Sequence, residues 1–167
     1  MINNQLSKNG YTLIEILIVM VIVSIVTGVA MLTIGRSENK KLETVASELT
    51  QMISLAEEQA MLQPAVLGLA IAPQSYRFFR LKTDESTQKN SWVLLQDYIL
   101  NRQMVPQDIE LRLMSDGQKQ SDQKPAIIIS TNGDMTPFTI YISKRNEKPK
   151  YIVRGDTDGN VTSEALS

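Results

Sequence analysis

The chain has no cysteine and no histidine among its 167 residues. The first absence removes disulfides, thiolate nucleophiles, thiolate zinc sites and c-type haem attachment; the second removes the Ser-His-Asp triad and imidazole ligation. Packing alone must hold whatever folds. An excess of charge of one sign is missing too. Lys and Arg total 17 against 18 Asp and Glu, a net charge of −1, so the whole chain carries no polyanion-binding signature. A hydrolase built from this inventory would have to work with carboxylates alone, and no carboxylate pair stands out by spacing. The expectation is a protein that is not an enzyme, with no cofactor, no metal and no small-molecule substrate.

One long apolar run is present, from Tyr11 to Ile34, closed by Gly35-Arg36. About 20 such residues in a helix cross the ~30 Å hydrocarbon core of a bilayer. Glu15 sits early in this run, where a carboxylate costs about 2.5–3.5 kcal/mol on insertion scales and calls for a partner. Three readings fit. A cleaved secretory signal could exit at Gly28-Val29-Ala30, although its apolar core is longer than such signals need. A plain signal anchor fits the length but gives Glu15 no purpose. In the third, Met1 to Gly10 is a short polar leader cut before Tyr11, which makes Glu15 the fifth residue of the mature chain. Lys8 precedes the run, whereas Arg36, Lys40 and Lys41 follow it. That distribution favours a cytoplasmic C-terminus, and Glu38 and Glu43 offset it little.

Beyond the run, Leu42, Val45, Ala46, Leu49, Met52, Ile53, Ala56 and Ala60 recur at three- and four-residue steps, until Pro64 ends the pattern. A continuous helix from about Tyr11 to Leu62 follows, with Gly28 and Gly35 as soft points. After Pro64 the period changes to two. "VLGLAIA" and "YRFFRLK" flank a turn at Pro73-Gln74-Ser75, and the polar loop "TDESTQKNS" leads to "WVLL". "DIELRLMS", "AIIIS", "FTIYIS", "YIVRG" and "NVTSEAL" follow, the polar stretch "SDGQKQSDQK" reading as a loop. Strands joined by short polar turns imply antiparallel sheet. The fold class is α+β: a long N-terminal helix, membrane half plus amphipathic half, then a mostly antiparallel β-rich head. The divisions are 1–10 (leader), 11–35 (transmembrane), 36–63 (amphipathic helix) and 64–167 (head).

"KNGYTLIEILIVMVIVSI" resembles the processing signal of type IV pilins and type II secretion pseudopilins. The resemblance implies that a prepilin peptidase cuts after Gly10 and methylates the new amine of Tyr11. It also gives Glu15 a partner, the Tyr11 amine of a neighbouring subunit. Two opposite charges in a low-dielectric bundle offset much of each other's desolvation, while either alone is expensive. The family usually has Phe where Tyr11 stands, so an aromatic ring is kept. On this reading the chain is a single-pass protein of the bacterial inner membrane, N-terminus cytoplasmic, head periplasmic.

Further on, "WVLLQDYILNRQMVPQDIELRL" and "STNGDMTPFTIYIS" resemble the H-type minor pseudopilins, the GspH/FimT family, with the fold expected to be pilin-like. The resemblance implies a minor subunit of a short periplasmic pseudopilus that drives export of folded proteins across the outer membrane. Its partners would be other minor pseudopilins, the major pseudopilin, the prepilin peptidase, the inner-membrane assembly platform and membrane lipid. No nucleic acid is expected. The alternative is a FimT-like minor type IV pilin in pilus assembly or DNA uptake, which needs clustered Arg or Lys; the acidic tail "GDTDGNVTSEALS" counts against it. As plain structure, Trp92 and Phe138 read as core and Pro137 as a strand starter.

Two smaller motifs complete the reading. "DTDGNVTSE" has the alternating Asp156, Asp158 and Asn160 of a calcium loop. Val161, however, stands where that loop demands Gly, and Ser167 where it demands Glu. Asp158-Gly159 reads equally as a tight turn. "KRNEKPK" reads as a solvated hairpin between two strands.

Overall fold

The computed structural model of the chain describes residues 13–84, 88–101, 103–114, 121 and 123–166, with the backbone alone for 30–38. It divides into two compact units, one up to Glu38 and one from Asn39 onward. Helix α1 (Leu13–Leu62) belongs to both. From Leu13 to Val29 it is apolar on every face apart from Glu15 and a few small polar groups. Ser24 and Thr27 return their hydroxyls to the carbonyls of Met20 (2.8 Å) and Val23 (2.7 Å), so neither presents an unmet donor.

In the second unit α1 becomes one-sided. Leu42, Val45, Ala46, Leu49, Ile53, Ala56 and Ala60 are buried and Met52 is half-buried, the stripe expected from the sequence. Among the described residues nine strands follow: β1 (Leu67–Ala72), β2 (Ser75–Thr83), β3 (Asn90–Leu94), β4 (Gln103–Met104), β5 (Ile109–Met114), β6 (Ile127–Ile129), β7 (Phe138–Lys144), β8 (Tyr151–Gly155) and β9 (Val161–Ala165). They form two antiparallel sheets, β3-β2-β1-β6 with β4 also on β2, and β5-β7-β8-β9.

Both sheets turn their apolar alternates toward α1. Leu67, Leu69, Ile71 and Phe78 of the first and Ile109, Leu111, Phe138, Ile140, Ile142 and Val153 of the second join the helix stripe in one core. Each large side chain buried there contributes about 1.5–3 kcal/mol. Tyr76 and Phe78 meet edge to face at 6.2 Å, and burial, with a smaller contribution from Glu48, pushes the Tyr76 phenol up to about 12. The sheets are tied at the β1–β2 turn, whose Pro73 and Gln74 carbonyls accept from the Leu111 (2.8 Å) and Val105 (3.0 Å) amides.

Three features differ from expectation. Trp92 is not a core residue. It lies half-buried on the outer face of the first sheet, within 2.9 Å of where a Cβ on Gly68 would stand, and Pro125 crowds the same spot. The polar loop "TDESTQKNS" is shorter than expected, because Thr83 and Asn90 are already paired across the β2–β3 hairpin, their side chains 2.8 Å apart. Strand β4 was not foreseen; its two residues carry no period. The stretch "SDGQKQSDQK" lies mostly outside the described residues.

Candidate functional site

Of the residues singled out for processing and assembly, Gly10 and Tyr11 lie outside the described residues. Glu15 lies in the first described turn of α1, where the helix dipole favours an anion. Around it the large apolar side chains from Leu13 to Val29 are 48–88% exposed within the single chain. A helix apolar on all sides needs lipid or other helices around it. Among the described residues no helix is long and apolar enough to cross a membrane. The span expected over residues 11–35 extends past the described side chains, which end at Val29.

The calcium-loop motif folds as a turn. Asp156 Oδ1 accepts from the amides of Asp158 and Asn160, both at 3.0 Å, and Oδ2 accepts from Asn160 Nδ2 at 3.0 Å. These bonds, the Asn160 side chain foremost, hold the Asp156 carboxyl below its ordinary value. The carboxylate closes the β8–β9 connection, with Gly159 at φ 89°. Among the described residues no group of three or more acidic side chains could hold a metal ion.

Glu57 of α1 faces this turn, a contact the sequence did not suggest. Its Oε1 stands where Cβ atoms on Gly133 and Gly159 would fall, and partial burial, then the charge of Asp156, raises its carboxyl. A second unforeseen fastening is Asp97. Its Oδ1 caps the amides of Ile99 (2.8 Å) and Leu100 (3.2 Å), and its Oδ2 accepts from Gln59 of α1 at 3.3 Å. An Asp two and three residues ahead of the amides it caps is a recognisable Asx turn. Its reach to the helix is visible only in the fold.

Phe138, starting β7, enters the core with its ring over Gly155. The segment containing Lys144–Lys150 joins β7 to β8 as an exposed connection, with Asn146 at φ 64°. It lies beside the beginning of the second unit: Lys150 Nζ donates to Asn39 Oδ1 at 3.4 Å. Lys41 Nζ lies 4.0 Å from Asp108 Oδ2, and the Asp108 carbonyl accepts from the Arg145 amide at 3.0 Å.

Comparison with known proteins covers both halves of this arrangement. Residues 6–31 match the prokaryotic N-terminal methylation motif, and residues 45–159 match the family described as type II transport protein GspH. The type II secretion system protein H of Pseudomonas aeruginosa is 28% identical over 160 residues, covering 87% of this chain and 89% of that relative. In fold, the crystal structure of the minor pseudopilin EpsH from the type II secretion system of Vibrio cholerae superposes with a TM-score of 0.64 at 20% identity, covering 77% of this chain and 96% of that one. The solution structure of Escherichia coli GspH gives 0.61 at 18% identity, covering 76% and 89%.

Proposed function

The chain belongs to the family of the type II transport protein GspH, and on that premise we propose that it is a minor pseudopilin of a type II secretion system. One observation carries the reading: a methylation motif over residues 6–31 and a GspH head over residues 45–159 occur in order in one chain. In this role the protein is anchored in the inner membrane and exposed to the periplasm. It assembles by helix packing with other minor pseudopilins and the major pseudopilin, and the filament drives folded proteins across the outer membrane. The N-terminus is cytoplasmic before processing, the apolar half of α1 spans the bilayer once, and the head is periplasmic.

Assembly turns on the pairing of Glu15 with the Tyr11 amine of a neighbour. Apolar exposure from Leu13 to Val29 supports the reading, since those faces need cover and the carboxylate is the acidic group of the first turn. The experiment is copurification of the full chain with its partner pseudopilins from membranes, beside secretion of a reporter exoprotein. Glu15→Leu inserts as well as the parent or better, because the span loses a charge. It fails to copurify, because an unpaired buried cation costs about 3–5 kcal/mol. Copurification and secretion at parental levels would reduce Glu15 to a helix cap.

A further inference from the structure

Two basic segments have no part in the reading above. Lys40 and Lys41 follow the apolar run on the side where basic residues oppose the proposed topology, and "KRNEKPK" is only a connection between strands. The fold brings them to one end of the head although they lie far apart in sequence. Lys150 reaches Asn39 across 111 residues, and Asp108 touches both segments, through its carboxylate to Lys41 and its carbonyl to the Arg145 amide. Lys40, Lys41, Arg145, Lys148 and Lys150 are all exposed at this end. The acidic residues described there include Glu43, Asp108, Glu147 and Glu110, which lines a surface pocket together with Arg145. Asp108 and Glu147 each stand 4.0 Å from a lysine, Lys41 and Lys150. Lys40, Arg145 and Lys148 have no ion-pair partner among the described residues.

We propose that this end of the head docks on the anionic lipid headgroups of the bilayer that holds the apolar half of α1; the inference rests on the anchor reading above. Charge complementarity names the partner, and the covalent connection brings it close. From Ile34, the last residue of the apolar run, to Lys40 the chain covers about 9 Å as helix and at most about 22 Å fully extended. A lipid surface charge is screened over about 8 Å at physiological salt, so along a helix Lys40 follows the apolar run by about one screening length. The tether makes the contact intramolecular, so a patch of a few exposed cations suffices without high intrinsic affinity. Lipid contact also accounts for basic residues on the translocated side, which the topology rule alone leaves anomalous.

The test uses the full chain in lipid nanodiscs. Because the protein has no cysteine, Gln107→Cys, exposed beside Asp108, carries a single environment-sensitive fluorophore, read by quenching with neutral acrylamide. Discs are phosphatidylcholine alone or with about one third phosphatidylglycerol, and quenching falls about two-fold in the anionic discs. High salt, or the triple change Arg145→Gln, Lys148→Gln and Lys150→Gln, removes the difference. Equal quenching in both discs overturns the proposal, as does a lipid effect that survives the triple change. Protection by short duplex DNA on neutral discs, in place of protection by anionic lipid, assigns the patch to nucleic acid and also overturns it. Loss of the chain from both kinds of disc is a separate result, which refutes the anchor and not the patch alone.

Discussion

Glu57 and Asp156 face each other across the contact between α1 and the β8–β9 turn, and the fold moves their carboxyls in opposite directions. Asp156 is lowered, by its bonds to Asn160 first, and Glu57 is raised, by burial first. For Asp156 the native state prefers the charged form, so its contribution is present above the ordinary carboxylate range and is lost as pH falls through the lowered folded value. For Glu57 the native state binds the proton more tightly than the unfolded chain. Its contribution is therefore present below the ordinary glutamate value of 4.5 and is lost as pH rises through the raised folded value. At neutral pH Glu57 is thus a charge the fold carries at a cost. Glu57→Gln keeps the shape beside Gly133 and Gly159 and removes that charge. Solvent screens the group, so the expected gain is at most about 1 kcal/mol at neutral pH, shrinking toward pH 4. Thermal melts of parent and variant across this range measure it. A variant less stable than the parent at neutral pH would mean that the carboxylate holds the turn in place.

Among the elements, the second sheet depends on one close approach. Phe138 on β7 lies opposite Gly155 on β8, and its ring occupies the space a Cβ at Gly155 would need. Gly155→Ala forces the ring aside in a packed core, an overpacking of about 1–3 kcal/mol. Denaturant unfolding should show a lower midpoint with an unchanged slope, since the surface exposed on unfolding is the same; an unchanged midpoint would mean the ring is not fixed there. Among the described residues, eight of the nine strands were legible as apolar segments bounded by polar turns, and alternation is clear where one face is wet, as in Ile109-Leu111 and Phe138-Ile140-Ile142. It fails on β1, where Leu67 through Ile71 are buried on both faces. Trp92 read as core, yet its ring covers Gly68 on the outer side of β1, a position that shows only once β3, β2 and β1 lie in one sheet. Strand β4, Gln103–Met104, is too short for any period and exists only because Ser75 and Tyr76 offer it an edge. The helix stripe was legible in full, since a single stretch of chain displays it.

For the whole molecule, the same contrast divides the functional residues. Gly10, Tyr11 and Glu15, the residues proposed for processing and assembly, lie in the linear methylation motif over residues 6–31 and can be read without a fold. The basic end of the head is assembled from Lys40–Lys41 and Arg145–Lys150, and the Glu57 contact from α1 and the β8–β9 turn, so neither exists until the chain closes. A linear signal makes a prediction independent of the head. Coexpressed with a prepilin peptidase, the full chain should lose Met1 to Gly10 and carry a methylated amine on Tyr11. Gly10→Val should block the cut, since a branched side chain obstructs the close approach of backbone to enzyme that only Gly allows. The head should be unaffected, because its core begins at Leu42, well beyond the cut. Intact-mass measurement separates the outcomes. A mass loss matching residues 1–10, offset by the gain of one methyl group and abolished by Gly10→Val, supports the pseudopilin. A cut after Ala30 in both parent and variant would make the apolar run an ordinary secretory signal, and a head released in that way would lack the apolar half of α1 with which to join a filament.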